Sequence, residues 1–157
     1  MVYVKRRAHF SASHRLYNPA FSDQRNQEVF DKCNNPNGHG HNYVIDVVVR
    51  GLPQPDTGYV IDLKVLADIL EREIIQKVDH KHLNYDVEFL RGIIPTAENL
   101  AIAFWRILEP AILSGELYAI TVRESENNSV EYFGEPVTLV RHDLGEDTLA
   151  VGGEEGR

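Results

Sequence analysis

Alternating apolar and polar residues predict two long β-strands in the first third of the chain. In residues 2–14, every second position forms a mostly apolar face that ends in His14, so this histidine is expected to point toward a core. Residues 39–50 form the second strand, in which His39 and His41 continue into the apolar face that begins at Tyr43. The intervening residues 17–38 are rich in Asn, Pro and Gly and predict a long loop.

A helical period follows and then gives way to two further strands. Apolar residues spaced three and four apart predict helices over about 62–78, with Asp62 as N-cap, and about 96–113, where Pro110 predicts an early end or a kink. Residues 79–86 form a polar loop between them, and 116–125 and 129–135 form the last two strands. The order strand–strand–helix–helix–strand–strand predicts an α+β fold with both helices on one face of an antiparallel sheet.

The composition argues against several classes of protein. The 157 residues suit one domain, and the net charge of −8 argues against a general nucleic-acid-binding protein. No apolar run approaches the roughly 18 residues that a membrane span needs, and no signal peptide is recognisable. Cys33 is the single cysteine, so it cannot form an internal disulfide and suits a reducing compartment. We therefore expect a cytoplasmic protein.

Three histidines form a candidate metal site. His39 and His41 project from the same strand face, and His14 joins them if the first two strands are neighbours. Three imidazoles with an open fourth position are typical of catalytic zinc. Two other interpretations remain open: the histidines are ordinary core residues, or Cys33 supplies a fourth ligand to a closed structural zinc site.

Several other residues are candidates for proton transfer or ligand binding. Cys33 lies on a turn near the histidines, where a cation lowers a thiol pKa, and Asp79 can orient the adjacent His80 as an acid or base. Glu124 ends an apolar strand face without an evident basic partner, and a ligand with two parallel N–H donors would satisfy it. Lys81 and His82 are expected to be solvated, although Lys81 is long enough to contact a phosphate.

Five motifs together resemble a known enzyme family, that of 6-pyruvoyltetrahydropterin synthase and its relative 6-carboxytetrahydropterin synthase. The motifs occur in order over residues 3–135: FSASHRL (10–16), CNNPNGHGHNY (33–43), DHKHLN (79–84), PTAEN (95–99) and VRESENNSVEYFGE (122–135). The resemblance implies the tunnelling fold, in which ββααββ protomers join their sheets into a barrel. It also implies a homohexamer, built as a dimer of trimers, with active sites at subunit interfaces.

The resemblance also implies roles for individual residues. His14, His39 and His41 match the zinc ligands, Cys33 the general base, and Asp79 with His80 a second proton-transfer pair. Glu124 matches the carboxylate that anchors the pterin ring. The segment that lines the pterin pocket corresponds to Thr96 and Glu98, although Ala97 stands where the family often has a second threonine. The family domain would span residues 1–135, leaving 136–157 as an acidic, mobile extension that includes a short edge strand over 137–144.

The implied reaction is the conversion of 7,8-dihydroneopterin triphosphate, a small-molecule substrate, to 6-pyruvoyltetrahydropterin with loss of triphosphate. This is a zinc-dependent lyase reaction of tetrahydrobiopterin biosynthesis. The five residues between Cys33 and His39 favour the pyruvoyl-forming type over the carboxy-forming type, which releases acetaldehyde and serves the queuosine pathway. A non-catalytic zinc or purine-binding module is a third hypothesis, and the presence of Cys33, Asp79 and His80 argues against it.

Overall fold

A five-stranded sheet forms the centre of the protein, which a computed structural model describes over residues 1–145. The sheet contains the following strands: β1 (Val2–His14), β2 (His39–Gly51), β3 (Lys81–His82), β4 (Glu116–Arg123) and β5 (Ser129–Tyr132). Their spatial order is β3-β1-β2-β4-β5, and every pairing is antiparallel except that of β1 with β3. The predicted α+β fold is therefore confirmed.

The two long strands pair over their whole length. Val2 lies opposite Gly51 and His14 lies opposite His39, so β1 ends and β2 begins at the candidate metal site. The alternation predicted for them is also observed, because Phe10, Tyr43 and Ile45 are buried in the core. The register thus brings the three histidines to one end of one sheet face.

The two predicted helices cover the apolar face of the sheet. The first runs through α2 (Leu63–Leu70), a π-helical turn (Glu71–Ile75) and α3 (Gln76–Val78), and its N-cap is Asp62, whose carboxylate accepts from the Lys64 N–H. The second, α4 (Ala97–Leu108), ends before Pro110 and continues as a 3₁₀ turn, as the proline predicted. Leu66, Ile74, Leu100 and Phe104 are fully buried against the strands.

The predicted loop at 17–38 contains a helix that its residue pattern did not predict. This helix, α1 (Asp23–Phe30), begins at Ser22, whose hydroxyl accepts from the Arg25 N–H, and a 3₁₀ turn (Asp31–Asn34) follows it. Its buried residue is Asn26, whose side chain bonds to the Asn18 backbone. Because α1 is anchored by a polar side chain, it lacks the apolar stripe on which a helix is predicted.

Two other segments also differ from the prediction. The polar loop after α3 contains the two-residue strand β3, which pairs with Ala12 and Ser13 of β1. Residues 136–145 form no strand, because their hydrogen bonds go to α4 and the 89–92 segment. The rest of the predicted mobile tail, 146–157, lies outside the described residues. Within residues 1–145, no helix is long and apolar enough to cross a bilayer.

Candidate active site

The three histidines converge at the end of the β1–β2 pair. Their ring centroids lie 4.7 to 5.0 Å apart, and one candidate ligand atom from each lies within 4.8 Å of the others. The shortest contact joins Nε2 of His14 to Nε2 of His39 at 3.1 Å. This arrangement follows from the antiparallel register and from the two-residue spacing of His39 and His41.

The environment of His14 determines which of its nitrogens is free. Its ring is fully buried, and Nδ1 lies 2.8 Å from the carbonyl oxygen of Pro95. Since a carbonyl can only accept, Nδ1 carries the proton and Nε2 presents a lone pair to the cluster. Burial lowers the pKa of His14 to about 4, so the ring is neutral at physiological pH. Burial also lowers the pKa of His41.

The cluster has the properties of a metal site. Nδ1 of His39 and Nε2 of His41 are buried without a hydrogen-bond partner, which is costly unless another group satisfies them. Neutral imidazoles whose outer nitrogen is held by a carbonyl are the usual ligands of divalent transition metals. His14, His39 and His41 could therefore hold a metal ion.

Glu124 lies at the edge of the histidine cluster. Its carboxylate oxygens are 3.7 Å from Nε2 of His41 and 3.9 Å from Nε2 of His14. The sequence suggested no basic partner for this residue, whereas the structure places two imidazoles beside it. Its side chain remains 22% exposed, so a ligand entering from solvent can also contact the carboxylate.

Cys33 lies on the 3₁₀ turn after α1 and is partly buried. The Leu16 N–H donates to its carbonyl at 2.8 Å, which joins this turn to the end of β1. Burial raises the pKa of the thiol, and the negative charges of Glu124 and Asp31 raise it further. The protein side chains alone therefore favour the thiol over the thiolate.

Asp79 and His80 form a pair on the edge of β1. Asp79 accepts from the Ser11 N–H at 2.8 Å, and its other oxygen lies 2.9 Å from Nδ1 of His80. The Ser11 N–H and the His80 ring lower the pKa of Asp79. The His80 side chain is 82% exposed, and within residues 1–145 no hydrogen bond or ion pair joins the pair to the histidine cluster.

Thr96 and Glu98 occupy the start of α4. The Thr96 hydroxyl accepts from the Asn99 N–H and caps the helix, while Glu98 is exposed in the first turn. Thr96 directly follows Pro95, whose carbonyl holds His14. The segment expected to line the pterin pocket is thus linked to the candidate metal site through the backbone.

Comparison with known proteins identifies the family. The family model described as 6-pyruvoyl tetrahydropterin synthase matches residues 3–135. The human 6-pyruvoyl tetrahydrobiopterin synthase is 47% identical over 132 residues, which cover 84% of this chain and 91% of the relative. The chain belongs to the 6-pyruvoyl tetrahydropterin synthase family.

Structures of this family share the observed fold. The Caenorhabditis elegans 6-pyruvoyl tetrahydropterin synthase superposes with a TM-score of 0.81 at 41% identity, covering 85% of this chain and 95% of that one. The tunnelling fold predicted from the motifs is thus confirmed for the protomer. The 6-carboxy-5,6,7,8-tetrahydropterin synthase of Rickettsia bellii is more distant, at 23% identity over 77% of this chain and 90% of its own length.

Two neighbours of the cluster, Pro95 and His82, lie within the quoted motifs, but the sequence assigned neither of them a role at the site. Pro95 acts through its carbonyl, which every residue has, so no side-chain signal indicated it. His82 was expected to be solvated, but it is half-buried and burial lowers its pKa. Its ring packs near Gly38, directly before the ligand candidate His39, because β3 pairs with β1.

Proposed function

We propose that this protein is a zinc-dependent lyase that converts 7,8-dihydroneopterin triphosphate to 6-pyruvoyltetrahydropterin with loss of triphosphate. The observation that carries the proposal is the convergence of His14, His39 and His41 beside Glu124 in a member of this family. The 47% identity to the human 6-pyruvoyl tetrahydrobiopterin synthase supports the pyruvoyl product over the carboxy product.

The three histidines would hold Zn²⁺ through neutral ring nitrogens. The proposal is supported by the two unpartnered buried nitrogens and by the nitrogen ligands that zinc prefers. A bound Zn²⁺ would polarise substrate oxygens and stabilise negative charge that develops on them. Three protein ligands leave room for substrate, whereas a structural zinc site would be closed.

Cys33 is proposed as the base that removes a proton from the side-chain carbon next to the pterin ring. Burial and Glu124 raise the pKa of its thiol, so a nearby cation is needed to favour the thiolate. Because a free thiol is required for this role, the proposal also favours a reducing, cytoplasmic location. Replacing Cys33 with Ala should retain zinc and reduce turnover by roughly 10²-fold or more.

Glu124 is proposed to anchor the pterin ring by accepting from the N–H donors of the ring. Thr96 and Glu98 are proposed to line the adjoining wall of the pterin pocket. A carboxylate matches two parallel N–H donors in geometry and charge. Its position 3.7 Å from His41 would hold the substrate side chain next to the metal. Glu124→Ala should therefore weaken pterin binding without releasing zinc.

Asp79 and His80 are proposed as the second proton-transfer pair, acting in a site completed by another subunit. His80 is oriented by Asp79 but lies exposed on the sheet edge. Exposed edges also favour association between sheets. A homohexamer with interfacial active sites, as the family resemblance implies, would cover this edge and bring His80 to a cluster.

Product analysis of the zinc-loaded protein tests the proposal. Purified protein and 7,8-dihydroneopterin triphosphate are expected to give 6-pyruvoyltetrahydropterin and triphosphate, identified by mass spectrometry. Free acetaldehyde with a 6-carboxy product would instead establish the carboxy-forming reaction. Pterin binding without turnover would indicate a binding module and contradict the enzymatic proposal.

A further inference from the structure

The chain continues past the last residue of the family match and folds back onto the domain. We call residues 136–145 the C-terminal strap. Arg106 on α4 donates to the Val137 carbonyl at 2.7 Å, and Leu139 packs against the hydrophobic core. The strap therefore has contacts with the domain along its length, although the family model ends at residue 135.

The far half of the strap binds the segment that precedes α4. The Arg141 guanidinium donates to the carbonyls of Arg91 at 2.6 Å and Phe89 at 3.0 Å. The His142 N–H donates to the Gly92 carbonyl at 2.7 Å. Three hydrogen bonds from two consecutive residues thus hold the backbone at 89–92.

Gly92 shows how closely the two backbones approach. Its φ is +76°, and a Cβ atom at this position would lie 2.7 Å from the His142 carbonyl oxygen. A side chain at residue 92 would therefore displace the strap or the segment beneath it. The strap therefore packs directly against the 89–92 backbone, without space for a side chain at residue 92.

The segment held by the strap leads directly to the candidate metal site. Only two residues separate Gly92 from Pro95, whose carbonyl accepts a hydrogen bond from Nδ1 of His14 at 2.8 Å. Apart from a short 3₁₀ turn over Glu88–Leu90, the connection has no regular secondary structure of its own. The position of the Pro95 carbonyl thus depends on the strap contacts at 89–92 and on hydrogen bonds at Ile94. The Asn99 amide and the Thr96 N–H each donate to the Ile94 carbonyl at 2.8 Å.

We propose that Arg141 is a positioning residue for the metal centre, acting through the 89–95 backbone and the Pro95 carbonyl on His14. By fixing that carbonyl, the strap holds the His14 ring with Nε2 directed at the other two histidines. The planar guanidinium suits this role because it donates in two directions from one rigid group. The inference rests on the zinc centre proposed above but not on the pterin reaction.

The test compares Arg141→Met with the wild-type protein. Methionine is similar in length and has no donor, and Arg141 is exposed, so the variant is expected to fold. The Zn²⁺ dissociation constant, measured by competition with a chelator, should rise about 3- to 10-fold, which is below the 10- to 100-fold loss typical of deleting an outer-shell partner outright. Amide hydrogen exchange at Ile93 and Thr96 should accelerate by about tenfold in the metal-free protein.

Two further variants test whether the change in zinc affinity is specific to the Arg141 guanidinium. Arg141→Lys keeps the charge but not the two-directional fork, so its zinc affinity should fall between those of the wild type and Arg141→Met. Arg50→Met removes a guanidinium that makes two hydrogen bonds to Glu116 at the opposite end of β2, and its zinc affinity should stay within about twofold of the wild-type value.

The outcomes separate this inference from the proposals on which it stands. If the wild type binds zinc and Arg141→Met binds it equally well, or if exchange at Ile93 and Thr96 is unchanged, the positioning role is wrong. If the wild type itself takes up no zinc, the metal centre is wrong and the inference is overturned with it. Failure to turn over the pterin substrate would alter neither measurement.

Discussion

At the scale of single residues, the chemistry of His14 is determined by one backbone contact. A neutral imidazole has one donor and one acceptor nitrogen, and the Pro95 carbonyl requires the donor to be Nδ1. Nε2 is then free to act as a ligand, 3.1 Å from Nε2 of His39. Burial strengthens this choice, because it lowers the pKa of His14 to about 4 and keeps the ring neutral.

Glu124 influences Cys33 through charge, which leads to a prediction for the metal-free protein. Replacing Glu124 with Gln removes a negative charge that raises the pKa of the Cys33 thiol, so the thiolate fraction near pH 8 should increase. Alkylation by iodoacetamide should accelerate by about two- to fivefold, since the thiolate is the reactive form. The modified residue is unambiguous because Cys33 is the only cysteine in the chain.

Glu116→Gln provides the control for this alkylation experiment. Glu116 pairs with Arg50 at the far end of β2 from the histidine cluster, so its removal should leave the alkylation rate unchanged. Equal rates for the wild type and Glu124→Gln would show that the Glu124 charge does not act on the thiol.

Side chains that act by their own chemistry could be predicted from the sequence, whereas backbone partners could not. The spacing of His39 and His41, together with the strand that ends in His14, predicted convergence on the condition that the two strands pair, and the structure shows this pairing. The carbonyl of Pro95 carries no signal in the sequence, and His82 depends on a two-residue strand that is too short to produce a periodic pattern.

At the scale of elements, the turn before β2 determines where its first histidine lies. Gly38 has a φ of +70°, and a Cβ there would lie 2.9 Å from both the His14 carbonyl oxygen and Nε2 of His82. Gly38→Ala should therefore displace the start of β2, including His39, and weaken zinc binding by at least about tenfold. The dissociation constant from chelator competition measures this effect.

Gly58 is a matched control for the turn. Its φ is +73°, but no atom lies within 4 Å of the position that a Cβ would take. Gly58→Ala should cost about 1–2 kcal/mol of unfolding free energy from backbone strain alone and leave zinc affinity within about twofold. If both alanine variants weakened zinc binding equally, steric fit at Gly38 would not be the cause.

The β1–β2 pair also contains a pH-sensitive ion pair on the sheet face opposite the helices. Arg7 donates two hydrogen bonds of 2.8 Å to Asp46, whose side chain is 5% exposed, and this pairing lowers the pKa of Asp46. Because the folded-state pKa of Asp46 is lowered, the ion pair stabilises the protein at pH values above the ordinary pKa of 3.8. This stabilisation is lost as the pH falls through the folded-state pKa.

Arg7→Met should therefore lower the urea midpoint at pH 7, because it leaves a buried carboxylate unpaired. The difference from the wild type should shrink as the pH falls toward 3. Arg50→Met, which breaks a pair whose Glu116 carboxylate is 63% exposed, should have a smaller effect at both pH values. If the urea midpoint at pH 7 fell equally in the two variants, burial of the Asp46 carboxylate would not be the reason for the larger effect.

Element prediction succeeded where an apolar pattern exists and failed where polar contacts hold the chain. The stripes of α2 and α4 and the alternation of β1 and β2 come from burial of one face, which the sequence displays directly. Helix α1 instead depends on Asn26, whose amide bonds to the backbone at Asn18, and this contact forms only in the folded chain.

At the scale of the whole molecule, the residues proposed for catalysis differ in how they are placed within one protomer. Glu124 lies beside the histidine cluster and its charge acts on the Cys33 thiol, whereas His80 is oriented by Asp79 on an exposed sheet edge. Within residues 1–145, no hydrogen bond or ion pair joins His80 to the histidine cluster. The proposed hexamer explains the arrangement, because a neighbouring subunit would supply the other half of each site.

Mixing two inactive variants tests whether the sites are shared between subunits. Cys33→Ala and His80→Ala should each be nearly inactive, but oligomers assembled from equal amounts of both should recover about a quarter of the wild-type turnover, because a random site then combines an intact Cys33 with an intact His80 in one case out of four. The control mixture, Cys33→Ala with Glu124→Ala, should show no more turnover than the mean of its two variants, since the Glu124 charge acts on Cys33 within one chain. Sedimentation should show particles of about six times the 17.9 kDa chain in each sample. Recovery in neither mixture, from particles of that size, would place His80 and Cys33 in the same subunit's site.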